Sequence, residues 1–142
     1  MRPLKQLIES KPPLVSVGPD DSVLTALTLL AQHEIGALLV LEQGRLVGIF
    51  SERDYARKII LKGKASKDTP VRDIMSDKIS CVSLSQTVEE CMALMTDKHV
   101  RHLPVLGADG EVMGILSIGD LVKETISQQK FTIEQLVHYI HN

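Results

Sequence analysis

The sequence has 142 residues, which is enough for one compact domain or for two half-size repeats that share a core. Hydrophobic residues make up 44% of the chain but aromatic residues only 3%, so the core must be built mainly from aliphatic side chains. The formal charge of −2 arises from 16 basic and 18 acidic residues, and this balance argues against a nucleic-acid-binding protein. No apolar run approaches the ~20 residues that cross a bilayer, and the first residues lead into no signal-peptide core, so we expect a cytoplasmic protein without a membrane partner.

An internal duplication organises the sequence. Residues 15–54 recur as residues 80–120, displaced by 65 positions and then, after one inserted residue, by 66. In each half the hydrophobic period changes in the same order and predicts strand, helix, strand, strand, helix. We therefore expect a first repeat over residues 3–68, a second over residues 70–128 and a final helix over residues 131–142. Neither half could cover its sheet alone, so the two should pack face to face.

The first half begins with a short helical turn and continues with an amphipathic helix that Ser22 can cap. Residues 37–41 are typical of an apolar strand, and a second strand ends at Phe50. A further helix is predicted over roughly residues 52–61. The polar residues 62–69 then connect the two halves.

The second half repeats this order. Its amphipathic helix begins with a capping box, because Glu90 follows Thr87 by three positions. Residues 102–106 form the next predicted strand, and the strand after it ends at Leu116. A helix is predicted over roughly residues 118–127.

The tail predicts a last helix from Phe131, because Thr132 and Gln135 have the spacing of a capping box. Its apolar stripe consists of Ile133, Leu136, Val137 and Ile140. Such a stripe must be covered, either by docking on its own domain or by a contact with a second copy of the chain.

The cysteines and the paired histidines have simple explanations. Cys81 and Cys91 lie ten positions apart, without the C-x-x-C spacing of redox or metal sites, so we expect two reduced core residues. The histidines that are separated by three positions are His99 with His102 and His138 with His141. Two ligands do not close a zinc site, so no metal is expected.

Each repeat carries Ser-x-x-Asp where its last strand passes into a helix, as Ser51 with Asp54 and as Ser117 with Asp120. One interpretation is structural, since a Ser cap followed by an acidic residue satisfies free N–H groups at a helix N-terminus. The other is functional. The same N–H groups and the Ser hydroxyl can hold a phosphate, while the two carboxylate oxygens can accept the hydroxyls of a ribose diol. Recurrence in both repeats, each time three residues after a glycine, favours the functional interpretation.

A duplicated unit with the motif G-h-h-S-x-x-D, where h is apolar, resembles the CBS domain, and the chain resembles a stand-alone pair of such domains, a Bateman module. The resemblance implies an α/β (α+β) fold in which two β-α-β-β-α motifs pack with pseudo-two-fold symmetry. It also implies clefts between the repeats that bind AMP, ADP, ATP, NAD or S-adenosylmethionine. Asp54 and Asp120 would then hold ribose hydroxyls, with Ser51 and Ser117 near ribose or phosphate.

The second repeat adds basic residues to this pattern. Its sequence Val-Arg-His-Leu-Pro-Val resembles the family's entry to the middle strand, where basic side chains commonly meet phosphate. Arg101 can grip a phosphate through two hydrogen bonds, His102 can add a proton-dependent donor, and Arg53 is a third candidate. The other interpretation of Arg101 is a solvated charge at a strand end. The first repeat has Gly36 and Ala37 at the corresponding positions, so equal binding at both sites is not expected.

The resemblance also implies an adenine slot. In the family this slot is apolar and uses backbone groups from the first strand of a repeat. Ile79, Val82 and Pro104 are the candidates for it. We expect Phe50 and Leu116, by contrast, to serve the core.

Together these features predict a regulatory module and not an enzyme. The motifs of serine hydrolases, zinc peptidases and P-loop enzymes are missing from the sequence, and the Ser-x-x-Asp sites offer gripping groups without a nucleophile and base pair. We expect AMP, ADP, ATP or NAD(H) as a regulatory ligand and no catalytic cofactor. The protein would sense energy or redox state and signal to a protein target through a conformational or dimer-surface change. The alternative is an interaction scaffold that binds no nucleotide. The resemblance and the tail stripe also predict a homodimer.

Overall fold

The computed structural model describes residues 2–141 and divides them into two compact units. One unit is Pro13–Ser80, and the other combines residues 2–12 with residues 81–141. Each contains a three-stranded sheet in which a short first strand runs parallel to the middle strand and the third strand runs antiparallel to it. The predicted mixed architecture is therefore confirmed.

In chain order the helices and strands follow the predicted sequence of elements. They are α1 (Leu4–Glu9), β1 (Ser16–Val17), α2 (Val23–His33), β2 (Ala37–Glu42), β3 (Arg45–Ser51), α3 (Glu52–Asp54), β4 (Val82–Ser83), α4 (Val88–Lys98), β5 (His102–Leu106), β6 (Val112–Ser117) and α5 (Ile118–His141). A π-helical segment, Tyr55–Ile60, follows α3, and a 3₁₀ turn, Val71–Asp73, precedes β4. The predicted single helix over residues 52–61 is thus one α-helical turn that widens into a π-helix.

Polar caps fix where the two amphipathic helices begin. Ser22 Oγ accepts a hydrogen bond from Thr25 N–H at 3.1 Å. Thr87 Oγ1 accepts one from Glu90 N–H at 3.1 Å, and the Glu90 carboxylate accepts one from Thr87 N–H at 3.4 Å. The N-termini of α2 and α4 are therefore those that the sequence predicts.

The two hairpins have matching registers. Ala37 at the start of β2 lies opposite Ser51 at the end of β3, and His102 at the start of β5 lies opposite Ser117 at the end of β6. Each ladder also shifts its register once, close to the turn. Each Ser-x-x-Asp motif therefore begins beside the residue that starts the middle strand of its sheet.

The N-terminal segment packs with the second repeat instead of the first. α1 lies on β6, where Ile8 covers Gly114. In the other unit Met75, from the turn before the second repeat, covers Gly48 in the same way. The predicted repeats are continuous in sequence. Each compact unit, by contrast, contains the short segment that precedes the other repeat.

Each unit has its own aliphatic core. In Pro13–Ser80 the core consists of Val17, Val23, Ala26, Leu30, Leu38, Val40, Phe50, Ile59, Val71 and Ile74. In the other unit it consists of Leu4, Leu7, Val82, Val88, Cys91, Met95, Leu103, Val105, Leu116 and Leu121. The prediction that Phe50 and Leu116 serve the core is confirmed. Both cysteines are free thiols, with Cys91 buried and Cys81 half-buried.

The C-terminal helix differs from the prediction. α5 runs without a break from Ile118 to His141, so the predicted end near residue 127 and the capping box at Thr132 are wrong. Residues 128–130 contain neither Gly nor Pro and favour a helix. Thr132 Oγ1 donates a hydrogen bond to the Gln128 carbonyl at 3.0 Å, as a hydroxyl does inside a helix.

The apolar stripe of this helix does not dock on its own domain. Ile133 is 58% exposed and Leu136 is 56% exposed. Over residues 2–141, no helix has both the length and the apolar character that a membrane crossing requires.

We predict that Gly114→Val destabilises the protein by about 1–3 kcal/mol, because overpacking forces side chains and backbone to shift. A Cβ atom at Gly114 would lie 3.0 Å from Ile8 Cδ1. Gly119→Ala is the control, since a Cβ there lies 3.5 Å from Ser117 Oγ and alanine favours a helix. Urea midpoints followed by circular dichroism measure both variants. An unchanged midpoint for Gly114→Val would contradict the packing of α1 on β6.

Candidate functional site

The first candidate junction lies between β3 and α3. Ser51 Oγ accepts a hydrogen bond from Asp54 N–H at 3.2 Å, while Asp54 Oδ2 accepts one from Ser51 N–H at 3.0 Å. The Ser51 hydroxyl also donates to Asp54 Oδ2 at 3.0 Å. Lys58, one turn later, places its Nζ 3.8 Å from Asp54 Oδ1. The Asp54 carboxylate thus lies half-buried in a capping box.

The second junction, between β6 and α5, has the same reciprocal hydrogen bonds. Asp120 N–H donates to Ser117 Oγ at 3.1 Å, and Asp120 Oδ2 accepts from Ser117 N–H at 2.8 Å. The carbonyl of Arg101 accepts a further hydrogen bond from Ile118 N–H at 2.8 Å. Both motifs therefore cap helices, as the structural interpretation states. This role does not exclude a ligand, because the junction also gathers charged side chains.

A lysine from the N-terminal segment reaches the second junction. Lys11 Nζ lies 2.5 Å from Asp120 Oδ2 and 2.6 Å from the carbonyl oxygen of Ile115. Sequence reasoning missed Lys11 because it lies 109 positions from Asp120 and only the packing of α1 on β6 brings them together. One signal was present. When the two short turns are aligned, Lys11 falls opposite Lys78, so a lysine follows both turns.

Arg101 and His102 complete the cluster around Asp120. Burial and the charge of Lys11 lower the pKa of the half-buried His102, Asp120 opposes this change, and Arg101 adds to it. His102 lies opposite Ser117 in the ladder, and the Arg101 carbonyl accepts a hydrogen bond from Ile118 N–H, so both residues lie at the start of β5 beside this junction. We name the cluster the Asp120 site, and its members are Lys11, Arg101, His102, Ser117 and Asp120.

Asp120 is held in its ionised form. Burial alone would raise the pKa of Asp120, but the hydrogen bonds from Lys11 and from Ser117 N–H outweigh burial and lower the pKa below the ordinary value of 3.8. At neutral pH the site therefore contains one carboxylate charge beside the permanent positive charge of Arg101 and the ammonium of Lys11. Such a site can accept hydroxyl donors on the carboxylate and anions on the basic groups.

The Asp54 junction lacks these basic neighbours on its middle strand. Ala37 takes in β2 the place that His102 takes in β5, and it is buried opposite Ser51. Gly36 precedes it where the second repeat has Arg101. The two junctions share their backbone geometry but differ in charge.

The other predicted site residues lie in more varied surroundings. Arg53 is exposed in α3, and Ile79 is half-buried before β4, both within Pro13–Ser80. Val82 is 2% exposed in the core of the other unit, and Pro104 is buried in β5. The side chains of Val82 and Pro104 therefore pack inside, so a role in an adenine slot would fall to their backbone groups.

Among the residues that the structure describes, no three His, Cys, Asp or Glu side chains form a group that could hold a metal ion. Burial raises the pKa of the Cys81 and Cys91 thiols, which disfavours the thiolate that a metal would need.

Comparison with known proteins finds similar domains in both repeats. The family model described as the CBS domain matches residues 4–61 and 71–127. The mitochondrial CBS domain-containing protein CBSX3 of Arabidopsis thaliana is 42% identical over 126 residues, which cover 85% of this chain and 61% of that protein. The chain thus spans less than two thirds of the length of this relative.

Solved structures show the same architecture. A protein with CBS domains from Burkholderia ambifaria MC40-6 has a TM-score of 0.85 and 45% identity, and the match covers 90% of this chain and 96% of that chain. The CBS domain pair of protein MJ0100, in complex with 5′-methylthioadenosine and S-adenosyl-L-methionine, has a TM-score of 0.78 and 22% identity, with 90% and 98% covered. The second likeness concerns the fold alone.

The titration of Asp120 should make part of the folding stability depend on pH. Because the pKa is lower in the folded protein than the ordinary 3.8, the stabilising contribution is fully present above that value and is lost as the pH falls through the folded pKa. We predict that Asp120→Asn flattens the decline of the thermal midpoint between about pH 5 and pH 2.

Calorimetric scans across this pH range provide the measurement. Asp109→Asn, which changes an exposed carboxylate in the turn between β5 and β6, is the control and should follow the wild type. Superimposable profiles for the wild type and Asp120→Asn would contradict the ion pair of Asp120 with Lys11.

Proposed function

This chain belongs to the CBS domain family, and we propose that it is a regulatory module that binds an adenine nucleotide at the Asp120 site. One observation carries the proposal. An ionised carboxylate lies among Lys11, Arg101 and His102 at the N-terminus of α5. A nucleotide presents a ribose diol and a phosphate together, and the cluster offers a partner for each.

The ribose would bind at the Asp120 carboxylate. The hydrogen bonds from Lys11 Nζ and Ser117 N–H both end on Oδ2, and Oδ1 can accept a hydroxyl. Ser117 Oγ lies at the same junction and can contribute a further hydrogen bond. Half-burial of both residues would strengthen these hydrogen bonds relative to water.

The phosphate would bind at the basic groups. Arg101 is exposed at the entry to β5, and its guanidinium can donate two parallel hydrogen bonds to phosphate oxygens. His102 and Lys11 lie beside it and bring additional donors. The N-terminus of the long helix α5 adds positive potential in the same place.

A structure of similar fold supports adenosine as one part of the proposed ligand. The MJ0100 domain pair was solved with 5′-methylthioadenosine and S-adenosyl-L-methionine, both of which contain adenosine. Neither carries a phosphate, whereas the Asp120 site holds three basic side chains. We therefore favour AMP, ADP, ATP or NAD(H) as the ligand of this chain.

The Asp54 junction would bind more weakly. Its carboxylate and Ser51 repeat the arrangement of the second repeat, and Arg53 and Lys58 lie close along the chain. At the start of the middle strand, however, the first repeat has the neutral Gly36 and Ala37 where the second repeat has two basic residues. Occupancy would therefore be unequal, with the Asp120 site filled first.

Signalling would follow from a population shift. A nucleotide that binds one conformation of the module more tightly than another changes their ratio, and a protein target can then distinguish the occupied from the empty form. Such a module would report energy state if it binds AMP, ADP or ATP, and redox state if it binds NAD(H).

An interaction scaffold without a nucleotide is the second candidate function. It is favoured by one observation, namely that the capping boxes already give Asp54 and Asp120 a structural task. The positive charge of Lys11 and Arg101 is not required for capping, and it supports the first candidate.

We also propose that two copies of the chain pair through α5. The exposed apolar residues of this helix include Val122, Ile126, Ile133, Leu136 and Ile140. Ile126, Ile133 and Ile140 occupy successive a positions of a heptad. Val122 and Leu136 occupy d positions, and Gln129 occupies the d position between them. β-Branched residues at a with Leu at d favour two-stranded coiled coils, and a polar seam residue fixes the register.

We predict that Asp120→Asn and Arg101→Ala each weaken AMP binding about tenfold or more, since hydrogen bonds to charged groups contribute about 1.5–3 kcal/mol. Asn keeps one side-chain oxygen for the Ser117 N–H, so the cap survives while the second acceptor oxygen is lost. In a thermal-shift assay, wild-type protein at a hundred times its Kd should gain about 2.7 kcal/mol.

Arg45→Ala, at the start of β3, is the matched control and should bind AMP as the wild type does. If the wild type shows no shift with AMP, ADP, ATP, NAD+ or NADH, the scaffold function replaces the proposed one.

A light-scattering experiment tests the pairing through α5. Ile133→Lys should convert a dimer into a monomer at micromolar concentration, because an ammonium group would have to be buried in the seam. Gln135→Lys makes the same change of charge at an exposed position outside the seam and should leave the dimer intact. A monomeric wild type would disprove the pairing.

A further inference from the structure

Lys11 is held firmly at the Asp120 site by the segment that carries it. α1 packs on β6, with Ile8 against Gly114. At the other end of the segment, Arg2 N–H and Nε donate to the buried carboxylate of Glu124 at 2.6 and 3.0 Å. These contacts position the Lys11 ammonium, which donates to both Asp120 Oδ2 and the Ile115 carbonyl.

Groups of the protein itself use the acceptor capacity of Asp120 Oδ2. A carboxylate oxygen has two lone pairs, and Oδ2 accepts one hydrogen bond from Ser117 N–H at 2.8 Å and one from Lys11 Nζ at 2.5 Å. A ribose diol held by both carboxylate oxygens needs one acceptor position on each. The Ser117 bond belongs to the helix cap, so Lys11 is the group that must leave.

We infer that the Lys11 ammonium holds the acceptor position on Asp120 Oδ2 that a ribose hydroxyl would take, and that it moves to the phosphate when a nucleotide binds. This inference rests on the proposed function. The ammonium is a compact charge on a flexible four-carbon stem, and the Lys11 side chain is 27% exposed, so it can move without unpacking α1. Arg101 and His102, the proposed phosphate ligands, belong to the same cluster.

This exchange makes Lys11 a specificity residue. A nucleoside has no phosphate, so it would displace the Lys11 ammonium from Asp120 without offering it another negatively charged partner. A nucleotide displaces it and supplies a phosphate, which is a stronger partner for an ammonium than water. The site would therefore favour phosphorylated ligands over nucleosides through a residue that lies outside the Ser-x-x-Asp motif.

The first repeat offers a natural comparison. Asp54 Oδ2 accepts hydrogen bonds from Ser51 N–H and its hydroxyl, and the nearby Lys58 instead donates to the Ile74 carbonyl at 2.9 Å. Lys78, which corresponds to Lys11 in the alignment of the two turns, is exposed. Removal of the Lys78 charge should therefore leave the Asp120 site unaffected.

Calorimetric titration of the full chain with adenosine and with AMP tests the inference. For Lys11→Met, the AMP Kd should rise about tenfold, because a charged hydrogen bond is lost. The adenosine Kd should fall about threefold, because a partly exposed ion pair no longer competes for Asp120. Lys11→Arg should keep AMP affinity within about threefold, and Lys78→Met should match the wild type for both ligands.

The predicted changes in Kd have opposite signs for AMP and adenosine, whereas the loss of a purely structural contact would change both in the same direction. If Lys11→Met weakens adenosine and AMP equally, or changes neither, the inference is wrong while the proposed function stands. If the wild type binds neither adenosine nor AMP but binds another of the proposed nucleotides, the same comparison is made with that nucleotide and must again show a selective loss. If it binds none of them, the proposed function fails and the inference fails with it.

Discussion

A reciprocal pair of hydrogen bonds at the passage from strand to helix determines the arrangement of each repeat. The Ser side chain accepts from the third N–H after it, and the Asp carboxylate returns a bond to the Ser N–H. Because the Ser lies opposite the first residue of the middle strand, these bonds join a helix N-terminus, the end of β3 or β6 and the start of β2 or β5 at one place. The residues at these three ends therefore lie close to the carboxylate.

The same geometry explains why a cap can also be a binding site. A cap places a half-buried carboxylate next to the positive end of a helix, and it occupies only part of the acceptor capacity of that carboxylate. In the second repeat the ammonium of Lys11 pairs with the Asp120 carboxylate, and Arg101 and His102 lie at the start of the neighbouring strand β5. Capping and the proposed recognition of a ligand would therefore use different lone pairs of one side chain.

The two repeats differ in the lysine that lies near each carboxylate. The backbone of the two junctions is nearly the same, yet Asp120 pairs with a lysine from 109 positions away, whereas Asp54 lies near a lysine of its own helical segment. The duplication supplied two copies of one scaffold. Their neighbours differ, with Ala37 in place of His102 and Lys58 in place of Lys11, so the two copies differ in charge.

Much of this protein could be predicted from the sequence, because the signals are local. The duplication, the order of strands and helices, the caps at Ser22 and Thr87 and the buried Phe50 and Leu116 follow from hydrophobic period and residue type. The same local signals failed at Thr132, where an apparent capping box lies within the uninterrupted helix α5 because nothing in residues 128–130 ends it.

Only the tertiary structure decided which distant groups meet. It carried Lys11 to Asp120, turned the side chains of Val82 and Pro104 into the interior, and left the stripe of α5 exposed. The spacing of residues along the chain predicts on which face of a helix or strand a residue lies. It does not predict which other helix or strand packs against that face. That choice depends on packing between segments more than a hundred positions apart, here Ile8 on Gly114.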